Sequence, residues 1–488
     1  MKKIYLSLLA VLLTVVSLQA QDKVTKKVLE LGKTDNRTME HAQYIARNIG
    51  GRLVGTHMLN HAEDWVVEQF RSWGLDVQVQ EAVVIGVGFD RGPWSGRMLS
   101  EDGMMLHFGT PTYTAGTCGP QKGRVYLEPK NQRAFDRVKG ALKGSWVLLE
   151  TGATSGLAID ASAKADSLRA AAVAEGKEVA VPFYRQMVEA GVLGFIRPAK
   201  MPMQVLYNRA MCFDLTMDTL PTACDILLDE HQFALIKQKV EDRQDFQLEF
   251  DIRNHFFPGP MKYHNILATI KGTQYPDEYV VLGSHLDAYD IATGSTDDGQ
   301  GVCVTMETAR LLAAAGAKPK RSIMFCIWTA EEYGLLGSKY FVEHKTIPWN
   351  KISNYFNRDG GPLACTSITV PPAMYEDFKK VCEPLENYNP DIPFTVNKRE
   401  GEAQARPTRA GGSDHAYFAM NGIPAISFRE SDVFGYDFNY RDIWHTEDDL
   451  YDKLIPVYME HSAVVNAVTA YGIANLGHLL SREGLYKE

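Results

Sequence analysis

The sequence predicts an α/β protein in which a mixed central sheet is flanked by helices and a smaller, β-rich domain is inserted. Two observations carry this prediction. From His264 onward, short apolar runs alternate with amphipathic stretches of helical period, which is typical of a sheet packed between helices. Between about residues 100 and 250 the pattern changes to short strand-like runs separated by turn-rich stretches, which indicates a second core.

The alternating part can be followed element by element. Its strands are almost wholly apolar, as expected where both faces of a sheet are buried, and Gly316 closes the first helix. The predicted order is strand YVVLGSH (279–285), helix 301–316, strand SIMFCIWT (322–329), helix 335–344, strand ISNYFNRD (352–359), strand PAISF (424–428) and a long helix from about 455 to 480.

We therefore divide the chain into a principal domain made of residues 21–100 and 255–488 and an inserted domain made of residues 101–254. Helical period before the insert, as in AEDWVVEQFRSWG at residues 62–74, assigns the early segment to the principal domain. The insert contains no cluster of potential metal ligands in its sequence, so we expect it to act as an accessory domain.

The first 20 residues have the pattern of a secretory signal peptide. Two lysines precede an apolar stretch from Ile4 to Leu18, and a small residue, Ala20, ends it. The segment is too short for a spanning helix, and no later segment has the required apolar length. We expect an exported protein, periplasmic or extracellular after removal of the signal peptide.

The net charge limits the classes of binding partner, and the cysteine count limits disulfide pairing. The formal charge of −9 becomes −9 − 2 = −11 once the two signal-peptide lysines are removed, and no basic cluster is evident, which argues against nucleic acid and anionic membranes. Seven cysteines are an odd number for an oxidising compartment, so at least one lacks an intramolecular disulfide partner. Disulfide pairing and oligomeric state stay open.

Metal-binding side chains follow each predicted strand of the alternating part. Because ligands bind beyond the carboxyl ends of such strands, we expect these side chains to lie close together. Mixed carboxylate and imidazole donors suit a pair of zinc ions. Taken singly, each has an ordinary explanation as a loop residue, a helix cap or a solvated acid, and only their coincidence favours a metal site. The residues are His285, Asp287, Asp297, Asp298, Glu331, Glu332, Asp359 and His445.

The adjacent acids Glu331 and Glu332 suggest two separate roles. One carboxylate can coordinate a metal ion while its neighbour stays free as the general base that hydrolysis requires. Two metal ions also need a shared ligand, a role that fits Asp297 or Asp298.

At these residues the chain resembles the co-catalytic zinc exopeptidases that include bacterial leucyl aminopeptidases and carboxypeptidase Q (plasma glutamate carboxypeptidase). The inserted segment resembles a protease-associated domain. The matching motifs follow the family's order: GSHLDAYD, GSTDDGQG, WTAEEYGLLGS, NRDGG, GGSDHAYFAMNGIPA and HTEDD.

The resemblance implies two Zn²⁺ ions and assigns a role to each residue. It makes Asp297 the bridging ligand, Glu331 the general base and Asp287 the carboxylate that orients His285, while Asp298 is expected to be structural. The metal ligands implied are His285, Asp297, Glu332, Asp359 and His445.

One position departs from the family pattern. Several relatives have a tyrosine directly before the last histidine, where its hydroxyl can stabilise the tetrahedral oxyanion, whereas this chain has Trp444. The indole N–H, or the hydroxyl of Tyr436 or Tyr440, would then have to serve, unless Trp444 merely packs and another group takes that role.

The resemblance implies hydrolysis of terminal peptide bonds in short peptides or dipeptides. Two other functions use the same fold: a glutaminyl cyclase-like acyltransferase, whose relatives use one zinc ion, and a non-catalytic binding ectodomain, whose relatives have lost ligands or the base. The complete residue set argues against both. Arg406, Arg409 and Arg429 would suit a substrate carboxylate, and Glu430 would suit a free amine, unless they are surface residues.

Overall fold

The computed structural model of the 488-residue chain describes residues 23–150, 162–177, 182–204 and 211–487. The predicted signal peptide at residues 1–20 lies outside the described residues. The helices are α1 (23–34), α2 (Thr38–Tyr44), α3 (His57–Ser72), α4 (Gln132–Val138), α5 (Ser162–Ala174), α6 (Tyr184–Glu189), α7 (Met211–Asp214), α8 (Glu230–Glu241), α9 (Gln300–Ala314), α10 (Leu336–Glu343), α11 (Tyr375–Cys382), α12 (His415–Met420), α13 (Tyr440–Ile443) and α14 (Pro456–Ala474). The strands are β1 (Asp76–Asp90), β2 (Trp94–Met98), β3 (Phe108–Gly109), β4 (Gln121–Gly123), β5 (Val125–Leu127), β6 (Trp146–Leu148), β7 (Gly194–Ala199), β8 (Cys224–Asp229), β9 (Leu248–Ile252), β10 (His255–Ile270), β11 (Tyr275–His285), β12 (Arg321–Trp328), β13 (Ile352–Asn357), β14 (Ala364–Val370), β15 (Thr395–Lys398) and β16 (Phe428–Ser431).

The central sheet is mixed, as the sequence predicts. Its five strands have the order β1-β10-β12-β11-β13, in which β10 runs antiparallel to both neighbours while β12, β11 and β13 are mutually parallel. In register, His285 lies opposite Trp328 and Gly283 lies opposite Asn357. The carboxyl ends of the three parallel strands therefore meet at one edge of the sheet.

Strand β12 shows why the sheet is covered on both faces. All eight of its residues are buried, and successive side chains point to opposite faces. Ile323, Phe325 and Ile327 pack into the large core that contains α3, α9 and α14. Met324, Cys326 and Trp328 pack into a second core with Phe341 of α10 and Phe418 of α12. The mixed α/β fold with flanking helices is thus confirmed.

Two predicted elements differ at their ends. The last helix, α14, begins with Pro456 at a position that tolerates proline and ends at Ala474, earlier than residue 480. The strand predicted at PAISF is wrong for residues 424–427, which are irregular: the N–H of Ile426 donates to the side chain of Asn354 at 3.2 Å and not to a neighbouring strand, and β16 begins at Phe428. The carbonyl of Pro424 still accepts a hydrogen bond from Tyr355 N–H of β13 at 2.8 Å.

The strands between Trp94 and Ile252 pair among themselves. They form a three-stranded sheet, β2-β9-β4, and a five-stranded sheet, β3-β8-β7-β6-β5, whose strands β5 to β8 are parallel. Two buried clusters, one around Trp146 and Phe250 and one around Phe183 and Phe195, belong to these sheets and their helices. The division at residues 101–254 stays a prediction, with β2 lying just before it.

Within the described residues, no helix has both the length and the apolar character that crossing a membrane requires. None of the seven cysteines, all of which are described, forms a disulfide; Cys118 is exposed and the other six are buried.

Gly283 occupies a position in β11 that leaves no room for a side chain. A Cβ there would lie 2.5 Å from Nε1 of Trp328 and 2.8 Å from the hydroxyl of Tyr355, two atoms that hydrogen-bond to each other at 2.8 Å. We expect Gly283→Ala to lower the free energy of unfolding by about 1–3 kcal/mol, as overpacking does. Gly477→Ala is the control, because nothing lies within 4 Å of its Cβ. Equal urea-unfolding midpoints for the two variants would contradict the expectation.

Candidate metal centre

The predicted site residues come together at the carboxyl edge of the parallel strands. His285 is the last residue of β11, the turn with Glu331 and Glu332 follows β12, and Asp359 follows β13. Because these three strands end at the same level, their following residues converge on one space. The local chain explains the placement, since the carboxyl-terminal half of each strand is buried up to its last or next-to-last residue.

Asp297 lies between the two histidines. It belongs to a single turn at Ser295–Gly299 that precedes α9, and it is 5% exposed. Its Oδ1 lies 3.3 Å from Nε2 of His285, and its Oδ2 lies 3.5 Å from Nε2 of His445. Each carboxylate oxygen thus faces a different imidazole, which is the arrangement a bridging ligand requires.

The remaining acids divide around the two imidazoles. Nε2 of His285 lies 3.7 Å from Oδ2 of Asp359 and 4.0 Å from Oε2 of Glu331. Nε2 of His445 lies 2.9 Å from Oε2 of Glu332. Two three-residue groups have donor atoms within 4.8 Å of one another, namely His285, Glu331 and Asp359, and His285, Asp297 and Glu332. The structure therefore brings together all five predicted ligands and the predicted base.

Asp287 and Asp298 orient the backbone of the site. The carboxylate of Asp287 accepts N–H bonds from Glu331 at 3.0 Å and from Glu332 at 3.1 Å. Asp298 accepts the N–H of His285 at 3.2 Å and that of Gly301 at 3.1 Å. Asp287 thereby ties the chain after β11 to the turn after β12, while Asp298 ties the start of α9 back to the end of β11.

The contact between Asp287 and His285 differs from the one that the resemblance implies. The backbone carbonyl of Asp287, not its carboxylate, lies 2.9 Å from Nδ1 of His285, and the nearer carboxylate oxygen is 3.9 Å away. The physical reason is that the carboxylate faces the Glu331–Glu332 turn. A carbonyl acceptor on Nδ1–H still selects the tautomer whose Nε2 is free to bind a metal ion.

Asp449 supports the site, although its position in the sequence predicts no such role. Its carboxylate accepts the N–H of Thr296 at 2.6 Å and the N–H of Asp297 at 3.1 Å. These bonds fix the backbone of the bridging residue. The one available signal was its place in HTEDD, four residues after His445. The ring of Tyr289, also overlooked, lies 4.1 Å from that of His445 between centroids.

Burial dominates the electrostatics of the cluster. It raises the pKa of Glu331 and Glu332 well above the usual range, and neighbouring carboxylates add to the rise. Burial would lower the pKa of His285, but the carboxylates of Glu331, Asp297 and Asp359 outweigh it and raise that pKa well above its usual value. Burial would likewise raise the pKa of Asp297, but the two imidazoles outweigh it and the pKa is lowered.

The donor set fits divalent metal ions. Four carboxylates and two imidazoles share a buried space, and like charges at this range cannot all ionise without a counter-charge. Cations bound between the oxygens and the two Nε2 atoms would supply that charge. Nitrogen and oxygen donors together suit borderline metal ions better than calcium or magnesium.

The three candidates for an oxyanion donor occupy different places. The Trp444 ring stacks on His445 with centroids 4.2 Å apart and stays 42% exposed. Tyr436 is exposed and packs against Phe434. Tyr440 is half-buried, and its side chain helps to lower the pKa of the Asp297 carboxyl, after the larger effect of the two histidines.

Of the four residues proposed to recognise a substrate terminus, three are exposed. Arg406, Arg409 and Arg429 are exposed. Glu430 is largely buried and paired with the buried guanidinium of Arg358, and burial raises the pKa of Glu430 to about 7. Of the candidate recognition residues, Glu430 is thus the one that is not exposed, and its carboxylate lies close to Gly360, the residue after Asp359.

The sequence and the fold agree with known peptidases. Residues 265–470 match the model of peptidase family M28. Carboxypeptidase Q of Mus musculus is 24% identical over 481 residues, covering 94% of this chain and 91% of its own length, and that of Homo sapiens is 24% identical over 483 residues.

Solved structures share the fold over almost the whole chain. A peptidase M28 precursor from Shewanella amazonensis aligns with a TM-score of 0.60 at 20% identity, covering 94% of this chain and 98% of its own. A zinc aminopeptidase from Bacillus subtilis aligns with a TM-score of 0.55 at 17% identity, covering 92% and 97%. The solved structures show the shared fold, and the match of residues 265–470 to peptidase family M28, together with the carboxypeptidase Q relatives, makes this part of the chain a metallopeptidase domain of the co-catalytic zinc exopeptidase type.

Proposed function

We propose that the protein is an exported zinc-dependent exopeptidase that hydrolyses terminal peptide bonds of short peptides. The observation that carries the proposal is Asp297, whose two carboxylate oxygens face two different histidines beside the paired acids Glu331 and Glu332. Export rests on the signal-like segment at residues 1–20 of the sequence.

Two Zn²⁺ ions would be held by the five residues predicted from the sequence. In this assignment Asp297 serves both ions, His285 and Asp359 serve one, and His445 and Glu332 serve the other. When bound, such ions lower the pKa of water and polarise the scissile carbonyl.

Glu331 would be the general base. It accepts the proton of the attacking water and later donates it to the leaving amine, so that a peptide bond is exchanged for an amine and a carboxylic acid. Its place supports this role, because it is 9% exposed while Glu332 is 2% exposed, so Glu331 is the more accessible of the two. Asp287 would hold the pair in place through its bonds to both backbone N–H groups.

Selectivity for a terminus would come from charges in the wall of the site. Two metal ions and a base act on any peptide bond that reaches them, so a terminal amine or carboxylate must be recognised by its charge. Glu430 lies near Asp359 and is paired with Arg358. The terminal amine of a substrate would bind the Glu430 carboxylate together with Arg358. The terminal carboxylate of a substrate would instead compete with Glu430 for the Arg358 guanidinium. Relatives named carboxypeptidase Q and aminopeptidase support both terminal specificities.

The two-metal assignment is tested by metal analysis. We expect the zinc-saturated protein to bind two ions, and Asp297→Ala to retain at most one and to lose activity by at least about 10²-fold, because both ions lose a shared ligand. Asp452→Ala, at an acid whose side chain is 71% exposed, is the control and should retain both ions. A wild-type protein that binds no more than one ion at saturating zinc would contradict the assignment.

The variant Glu331→Gln tests whether Glu331 acts as the general base and not as a metal ligand. The amide has almost the same shape but cannot accept the water's proton, so we expect kcat to fall by about 10²–10⁴-fold while two zinc ions stay bound. Glu343→Gln, at an exposed glutamate of α10, should leave kcat unchanged. Near wild-type turnover by Glu331→Gln would refute the role of Glu331.

Substrate panels test the terminal specificity. We expect free dipeptides and short peptides to be cleaved, and peptides blocked at both termini to be refused, because only a charged terminus can pair with the wall of the site. The measurement is kcat/KM for each free peptide and for its doubly blocked counterpart under zinc saturation. Comparable values would show that the enzyme does not recognise a terminus.

A further inference from the structure

We infer that Glu447 is a positioning residue through which the segment between Trp94 and Ile252 holds the loop that carries His445. The inference rests on the proposed function, because it takes His445 as a metal ligand. Three residues of that segment, Met203, Gln204 and His107, contact the loop Trp444–Glu447. We call this set of contacts the clamp.

His445 needs support from outside its own residue. Its φ is +57°, in the left-handed region that a residue with a Cβ occupies at a cost of about 1–2 kcal/mol. A ligand in this conformation keeps its direction only where the surrounding structure holds the loop. The direction matters here, because Nε2 of His445 lies 2.9 Å from Glu332 and 3.5 Å from Asp297.

Bonds within the principal domain hold one side of the loop. The hydroxyl of Thr446 donates to the carbonyl of Asp442 at 2.7 Å, and its N–H donates to the carbonyl of Ile443 at 2.9 Å. The N–H of Asp449 donates to the carbonyl of Thr446 at 3.2 Å. These contacts join the loop to α13 and to the next turn, both of which belong to the same stretch of chain as the loop.

The clamp supplies bonds from a distant part of the chain. Gln204 forms an antiparallel bridge with Thr446, and its side-chain amide donates to the carbonyl of Trp444 at 3.2 Å. Trp444 is the residue whose ring stacks on His445. The bridge therefore reaches both neighbours of the metal ligand.

Glu447 closes the clamp with both its backbone and its side chain. Its N–H donates to the carbonyl of Met203 at 3.0 Å, and its Oε1 accepts the N–H of Met203 at 3.0 Å. Its Oε2 lies 2.7 Å from Nε2 of His107. One carboxylate thus binds two separate segments, and its side chain is 25% exposed.

The partners of Glu447 are themselves fixed. The side chain of Met203 is buried against Leu227 of β8. The N–H of His107 donates to Oε1 of Gln232 at 2.7 Å, and its carbonyl accepts the N–H of Asp229 at 3.0 Å. The loop with His445 is therefore attached to the sheet of β8 and to the start of α8, and we infer that this attachment sets the affinity for the ion that His445 binds.

Stepwise cobalt titration of the metal-free full-length protein, followed by visible absorption, tests this inference. We expect Glu447→Ala to weaken one of the two binding steps by about 10–100-fold, the effect typical of groups that orient ligands, and to leave the other step unchanged. Glu447→Gln should stay close to wild type, because its amide oxygen still accepts the Met203 N–H. Excess zinc should restore the kcat of Glu447→Ala, since the ligand itself is intact.

Glu249→Ala is the matched control. Glu249 pairs with Arg97 on neighbouring strands, far from the His445 loop in the chain, and its side chain is 22% exposed. It should leave both binding steps unchanged. Wild-type cobalt binding by Glu447→Ala overturns the inference, as does equal weakening of both steps. A wild-type protein that binds one ion would instead contradict the proposed two-metal function.

A second variant covers the case in which Glu447→Ala does not fold. His107→Ala combined with Gln204→Ala removes two bonds of the clamp and leaves Glu447 and its backbone bond in place. We expect it to weaken the same single step by a smaller factor. Unchanged binding in a folded double variant would likewise overturn the inference.

Discussion

The position of one carboxylate, Asp297, is the constraint on which the rest of the site depends. A carboxylate shared between two cations must point each oxygen at a different centre, so its backbone cannot be left to vary. The N–H of Asp297 and that of Thr296 are both bound by Asp449, which is buried. On the opposite side Arg52, fully buried, donates to the carbonyls of Thr293 and Gly294 at 3.0 Å. The turn before α9 is thus held from two directions by groups of the protein itself.

Burying this cluster of carboxylates makes an unfavourable electrostatic contribution to the free energy of the folded protein. Burial raises the pKa of Glu331, Glu332 and Asp359, which means that their ionised forms are less stable there than in water. The central sheet and the buried helices α9 and α14 supply the apolar burial that offsets this cost. Divalent ions that bind only the folded state would neutralise the cluster and add to its stability by mass action. Stability and activity are therefore linked through the same carboxylates.

The sequence was sufficient for the features that depend on local pattern. Apolar strands predicted the sheet, and the acids and histidines that follow them predicted the site, because strand ends are visible in the order of residues. Asp449 could not be assigned in this way, since its role depends on a contact with Thr296, 153 positions away. The same holds for Asp287: its carboxylate was expected at His285, but two backbone N–H groups from the turn after another strand lie within reach of it. The left-handed conformation of His445 leaves no trace in composition or periodicity.

The distant segment matters for a related reason. Four of the five proposed ligands lie beside a regular element: His285 ends β11, Glu332 and Asp359 come shortly after β12 and β13, and Asp297 lies in the turn before α9. His445 lies instead on an irregular loop behind the four-residue helix α13, and such short helices hold their ends weakly. Its direction must therefore be set by contacts made from outside, which Met203, Gln204 and His107 supply through Glu447 and its neighbours. In our proposal the segment between Trp94 and Ile252 therefore governs the affinity for one metal ion, because its contacts reach the loop of the one proposed ligand that lies beside neither the central sheet nor α9.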